Sequence, residues 1–198
     1  MLQRFIALIL FLLFLPLLVV FYFFVKLTSN GPFIFKQRRM GKNKRIFTMY
    51  KVRTMVQNAE RLKNRYIKLN EVDGPVFKIK DDPRFTGFGK ILSYTGLDEL
   101  PQLINIIKGE MAFVGPRPLP VDEAKKVPQK YQKRFNVLPG VTSPWVLKGQ
   151  HNLDFKKWME LDVEYADERS KMYDLRISLA TIILIIKLIF RKLSGRIK

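Results

Sequence analysis

GLDELPQLINIIKGEMAFVGPRPLP, residues 96–120, is the stretch on which the reading of the whole chain turns. It sets two adjacent carboxylates, Asp98 and Glu99, before an apolar run and places Arg117 between two prolines further on. Leu100, Leu103, Ile104 and Ile107 follow the i, i+3, i+4, i+7 rule, which predicts a helix over residues 99–107 that Gly109 closes. Pro101 fits only a first turn, so the helix should begin near Asp98. Asp98 then has a purely structural reading as an N-cap, with Glu99 a first-turn acid favoured by the helix dipole. Residues 111–114 read as a short buried strand that GPRPLP stops. Pro118 pushes Arg117 out of the α region, and Pro116 and Pro118 stiffen the backbone on both sides of it. A guanidinium fork held in place suits bidentate phosphate recognition.

Upstream, residues 33–37 and 44–52 predict a β-hairpin around a loop containing Gly41. Thr54 is expected to cap an amphipathic helix carrying Met55, Ala59, Leu62, Tyr66 and Leu69, either packed in the core or lying on a membrane surface. Residues 71–87 read as a loop. Downstream, residues 122–137 are polar and plausibly helical, and 139–149 are turn-rich around Trp145. Residues 155–174 carry a stripe of Phe155, Trp158, Met159, Val163 and Tyr165, on which Asp162 reads by composition as a solvated residue. Residues 177–186, followed by Lys187, Arg191, Lys192, Arg196 and Lys198, are too short to span a membrane and suggest an interfacial helix with a basic tail.

Residues 5–25 contain no charge, and at 1.5 Å per residue they reach roughly 30 Å, the thickness of a bilayer core. No small-residue cleavage site follows, so a membrane segment is expected rather than a signal peptide. Pro16 bends this helix near its middle, which leaves a kinked span and a re-entrant hairpin both open. The chain of 198 residues holds 36 Lys and Arg against 17 Asp and Glu, for a net charge of +19. Residues 26–68 alone carry thirteen basic residues and one acid, Glu60. Such a charge calls for anionic company, and its place beside the apolar segment marks a cytoplasmic, lipid-facing surface. A nucleic-acid binder would also be basic, but charge clustered against apolar segments does not suit one. The absence of cysteine excludes disulfides and thiolate metal sites, and the single His151 excludes histidine clusters and relays.

LDELPQL (97–103), KGEM (108–111) and VGPRP (114–118) resemble the bacterial sugar transferase family, the monotopic phosphoglycosyl transferases. The resemblance extends to PFIFKQRRMG (32–41), KVRTM (51–55), DPRFTGFGK (82–90), PGVT (139–142) and LDVEYA (161–166). It implies an α+β fold in which residues 1–30 form a Pro-broken, re-entrant membrane helix. Residues 31–198 would form a catalytic domain on the cytoplasmic face of the bacterial inner membrane, with a small β-hairpin and amphipathic interfacial helices. The implied reaction moves a sugar 1-phosphate from a UDP-sugar to polyprenyl phosphate, in the initiating step of a surface glycan. Asp98 would be the nucleophile and Glu99 the ligand of Mg²⁺. Arg117 and Arg53 would supply positive charge for phosphate, with Asp162 and Gln150 also at the site. Anionic lipids are the further expected partner; a homo-oligomer or downstream glycosyltransferases are compatible with the family, and nucleic acid is not expected. Attack by the acceptor assisted by Asp98 in a ternary complex is the alternative chemistry. Leu15 stands where family members often carry a serine before the proline, which removes a polar helper for the bend. Further departures, Gln150 in place of arginine, Val146 in place of glutamine and SYTG (93–96) in place of a more basic approach to the dyad, also admit an inactive scaffold of the same fold. The intact dyad and Arg117 favour an enzyme.

Overall fold

The computed structural model describes residues 1–148 and 154–193. It opens with α1 (Leu2–Thr28), which continues through Pro16 instead of breaking there as expected, since the φ of proline suits a helix and only one backbone hydrogen bond is lost. Among the described residues this is the one helix long and apolar enough to cross a membrane. Its apolar side chains point all round the axis, and only Ala7, Leu18, Phe21 and Val25 are buried. An exposed face of Leu12, Leu13, Val19, Phe23 and their neighbours has no favourable contact with water.

The hairpin follows as β1 (Ile34–Met40) and β2 (Ile46–Val52), antiparallel from Ile34 against Val52 to Met40 against Ile46. The helix expected from Thr54 does not form as one piece. Met55 instead bridges to Phe85, the Thr54 carbonyl accepts from the Thr86 amide, and Asn58 turns the chain at a φ of 66°. Helix resumes only at α2 (Ala59–Leu62) and continues as a 3-10 segment, Lys63–Leu69. These tertiary contacts outweigh a weak local periodicity.

Where the expected loop ends lies α3 (Gly87–Thr95), capped by Thr86, whose Oγ1 accepts from the Gly89 amide at 3.0 Å. The decisive stretch then forms a 3-10 turn, Leu97–Gln102, before α4 (Leu103–Lys108), which ends at Gly109 as expected. The turn and α4 bury Asp98, Pro101, Gln102, Leu103, Asn105 and Ile106 while Leu100, Ile104 and Ile107 are only partly buried, because the 3-10 turn rotates the face away from the one that an α-helix over 99–107 would bury.

β3 (Ala112–Val114), β4 (Leu119–Pro120), α5 (Val121–Ala124), a 3-10 segment Gln129–Phe135, β5 (Gly140–Thr142) and α6 (Pro144–Leu147) complete the middle of the chain. β4 pairs with β1 to give a sheet of order β2-β1-β4, and β3 runs parallel to β5. α7 (Phe155–Glu168) buries Phe155, Trp158, Met159 and Leu161 against Leu119, Tyr131, Phe135 and Trp145, and Tyr165 against Val114 and Ile177. α8 (Lys171–Leu193) is longer than the interfacial helix expected from the sequence. Trp145 is buried and stacked on Trp158, with ring centroids 4.4 Å apart.

α1 does not stand away from this body. Ala7 joins a cluster with Phe47, Met49, Leu103, Ile106 and Met111, while Leu18, Phe21 and Val25 pack with Val52 and Leu92. Both halves of the helix thus dock on the face formed by β2, α3 and α4. The beginning of α1 is held there as well, since Arg4 lies so close to Gly109 that any side chain at Gly109 would strike its guanidinium.

Candidate active site

The dyad owes its position to the break between α3 and the 3-10 turn. Gly96 sits at a φ of 74°, a conformation that favours glycine, and the turn it starts has no side-chain cap. Asp98 is therefore not an N-cap. The turn instead packs on β2 and drives Asp98 inward, where its side chain is only 5 % exposed. Side chains alternate along β2, so buried Val52 leaves Lys51 and Arg53 on the other face. Lys51 Nζ donates to Asp98 Oδ2 at 3.3 Å and to Glu99 Oε1 at 2.7 Å. Arg117 Nη2 donates to the same Glu99 Oε1 at 3.0 Å. One ammonium thus joins the two carboxylates, and a guanidinium closes the cluster from the proline loop.

That loop is rigid for reasons beyond its prolines. Gly115 and Gly140 approach where β3 leaves β5, each so near the other's backbone that neither position could carry a side chain. Three successive carbonyls of the loop are occupied: Pro116 by the Gly140 amide at 3.1 Å, Arg117 by Arg134 Nη2 at 2.8 Å, and Pro118 by Arg39 Nη1 at 2.8 Å. Arg134 is in turn fixed by Asp162, whose Oδ2 accepts from its Nε at 3.1 Å and its Nη2 at 2.8 Å. Asp162 is fully buried on α7, and its Oδ1 has no partner among the described residues. It does not border the cavity described next, and it is linked to the Arg117 carbonyl by Arg134.

A cavity of about 1150 Å³ opens over the dyad. Lys51, Arg53, Lys78 and Arg117 line it together with Asp98 and Glu99. Arg53 Nε donates to the Pro32 carbonyl at 2.7 Å, and its guanidinium lies over the Phe35 ring, so it borders the cavity without bonding to the dyad. Gln150 lies outside the described residues.

Burial separates the two acids. It raises the Asp98 pKa, with the negative charge of Glu99 adding to the rise, against the opposing pull of Lys51 and Arg117. For Glu99 burial acts in the same direction but is outweighed by Arg117 and then Lys51, which hold this carboxyl well below the usual range. Lys78 is pushed down to about 8, first by burial and then by Arg117. Neighbouring groups whose environments drive their pKa values apart mark sites built for chemistry.

Among the described residues no three acids or histidines gather as a protein-only metal cage. Mg²⁺ asks for less, one or two carboxylates with the rest of its shell from water and substrate phosphate. Asp98 Oδ1 and Glu99 Oε2 take none of the hydrogen bonds given to their partner oxygens, which leaves hard oxygen donors at the cavity and fits such a sparse site.

Lys51 escaped the sequence reading although KVRTM contains it. Its signal was there, since strand alternation puts it on the face of Arg53. Arg39 and Arg134 carried no comparable signal, because nothing local indicates that they reach the carbonyls of a loop far along the chain.

A family model described as bacterial sugar transferase matches residues 1–188. The chain is similar to the galactosyl transferase CpsE of Streptococcus agalactiae serotype III, 43 % identical over 155 residues, which are 78 % of this chain and 34 % of that protein. It is also similar to the exopolysaccharide production protein ExoY of Sinorhizobium fredii, 35 % identical over 171 residues, 84 % of this chain and 76 % of that protein. A third relative is the undecaprenyl-phosphate galactose phosphotransferase of Salmonella typhimurium, 35 % identical over 172 residues, 84 % of this chain and 36 % of that protein. The chain thus spans about a third of the first and third of these relatives and three quarters of the second.

Proposed function

Because the chain belongs to the bacterial sugar transferase family, we propose that it moves a sugar 1-phosphate from a UDP-sugar to a polyprenyl phosphate, with release of UMP. The observation that carries this reading is Asp98, a buried carboxylate held by Lys51 at the floor of a cationic cavity. Cations around a carboxylate suit phosphoryl transfer, where positioning and charge stabilisation supply most of the catalysis.

In the first step an Asp98 oxygen attacks the β-phosphorus of the donor, the bond from that phosphorus to the bridging oxygen breaks, and its electron pair leaves with UMP. In the second, an oxygen of the acceptor phosphate attacks the same phosphorus, the bond to Asp98 breaks, and the carboxylate is restored. Lys51 orients Asp98 and favours its ionised form. Arg117 holds charge beside the reacting phosphates, and Arg53 offers a further cation at the cavity wall. Glu99, kept ionised by Arg117 and Lys51, would hold Mg²⁺ with donor phosphate, and the ion would supply positive charge to the pyrophosphate oxygens.

The two substrates dictate the location, since a sugar nucleotide dissolves in water and a polyprenyl phosphate does not leave the bilayer. Residues 1–30 are accordingly assigned to the inner membrane as a re-entrant segment, and the remainder to its cytoplasmic face. Contact of both halves of α1 with one domain face supports this assignment, because a helix standing across the bilayer would carry that face into the lipid with it. The product would begin a surface polysaccharide, the pathway that the name of the exopolysaccharide production protein ExoY suggests. Membranes containing the chain, incubated with a panel of UDP-sugars and polyprenyl phosphate, should release UMP and form a lipid-linked sugar phosphate with at least one donor. Release that needs no polyprenyl phosphate and continues over many turnovers would instead mark a hydrolase.

A further inference from the structure

The cavity over the dyad is not uniformly polar. Much of its lining is cationic, including Arg61, Lys63 and Lys78, and α3 adds Lys90 and Ser93, but α3 and α8 also bring apolar side chains to it. Ile91 and Tyr94 of α3 and Leu184 and Ile185 of α8 border the cavity there, beside the hydrogen-bonded hydroxyls of Thr142 and Thr181, 2.7 Å apart. Ile91 and Tyr94 also reach the outer surface, 45 % and 38 % exposed. On α8 the half-buried Leu184 and Ile185 adjoin Ile182, Ile183 and Ile186, which are 48 % to 54 % exposed. An apolar path therefore runs from the dyad's cavity to an apolar outer surface.

We infer that this seam between α3 and α8 is the lateral entrance for the acceptor, with the lipid phosphate directed to the dyad and the isoprenoid tail leaving between the two helices. The inference rests on the proposed transfer reaction and adds to it where the acceptor binds. Both substrates bring phosphate, so charge cannot tell them apart. An apolar exit accommodates only the one that carries a hydrocarbon chain, whereas a sugar nucleotide placed there would lose hydration at both ends without compensation.

The natural absence of cysteine makes the test clean. Leu184→Cys and, on the outer face of the same helix, Leu179→Cys are each alkylated with a bulky sulfonated maleimide in detergent, with stoichiometry checked by mass. Modification at Leu184→Cys should raise the KM for long-chain polyprenyl phosphate by about tenfold or more and leave the donor KM within about twofold. Modification at Leu179→Cys should change neither. An unchanged acceptor KM at full modification of Leu184→Cys, or an equal rise at Leu179→Cys, overturns the entrance. If Leu184→Cys does not fold, Ile185→Cys takes its place. In parallel, a polyprenyl phosphate with a diazirine in its first isoprene units is photolysed with the unmodified chain, and labelled peptides should come from α3 and α8. Labelling confined to other segments overturns the entrance even in a chain that transfers nothing, whereas absent transfer by the wild type with the expected labelling overturns the reaction and not the entrance.

Discussion

Lys51 bonds to both carboxylates of the dyad, so the loss of its charge should be felt first at Asp98. In the proposed reaction Asp98 must be ionised to attack, its pKa is already raised by burial, and Lys51 is the leading influence that lowers it. Activity is therefore lost as pH falls through the raised value. Lys51→Met should move the acid limb of the kcat/KM profile to higher pH and lower its plateau by about a hundredfold, as loss of a fixed charge at a reacting phosphate does. An acid limb at the wild-type position would remove Lys51 from the account. Asp162 titrates with the opposite consequence for stability. Burial pushes its carboxyl from 3.8 up to about 6 against the pull of Arg134, so between those values the folded chain holds a proton that the unfolded chain has released. Stability contributed by this group thus falls as pH rises from 3.8 to about 6. The thermal midpoint in detergent should decline over that range more steeply in the wild type than in Asp162→Asn, and parallel slopes would contradict the assignment. At this scale Asp98, Glu99, Arg117 and Arg53 could be named from motifs because each stands in a distinctive local pattern. Asp162 could be named but not placed, since its burial behind the Arg117 loop depends on Arg134, which comes from another segment.

Among the elements, those that satisfy their bonds locally were legible. The hairpin followed from alternation, the end of α4 from Gly109, and the stripe of α7 from its 3.6-residue period. Elements shaped by distant partners were not. Residues 54–58 have the spacing of a helix but give their backbone to Phe85, Thr86 and Arg84, which leaves α2 to start only at Ala59. α3 begins at the end of the stretch read as loop, and Thr86 as a cap followed by Phe88, Ile91 and Leu92 was the local signal for it. α1 is the element whose function depends most on its surroundings. Both ends should lie on the cytoplasmic side, given Arg4 against Gly109 at one end and the Lys26 Nζ bond to the Gly31 carbonyl at the other. Single cysteines introduced at Gln3 and Ser29 should react with a membrane-impermeant maleimide from the same side in intact cells and in inverted vesicles. Reaction from opposite sides would replace the re-entrant segment with a kinked span.

Across the whole molecule, apolar surface and positive charge divide the work. The outer faces of α1 and α8 offer hydrocarbon contact, and the charge of +19 supplies attraction for anionic headgroups and for the phosphates of both substrates. The dyad's cavity is lined by cations and by apolar residues of α3 and α8, which suits the proposed reaction of a soluble donor and a lipid acceptor in turn. A two-step route through Asp98 requires no simultaneous binding of substrates from different phases. Its most direct measurement uses the purified chain with Mg²⁺ and a competent UDP-sugar but no acceptor. Roughly one equivalent of UMP per chain should appear, with a sugar phosphate attached to the peptide containing Asp98, and neither should appear with Asp98→Asn. No UMP and no adduct until polyprenyl phosphate is added, or near-normal turnover by Asp98→Asn, would contradict Asp98 as the nucleophile.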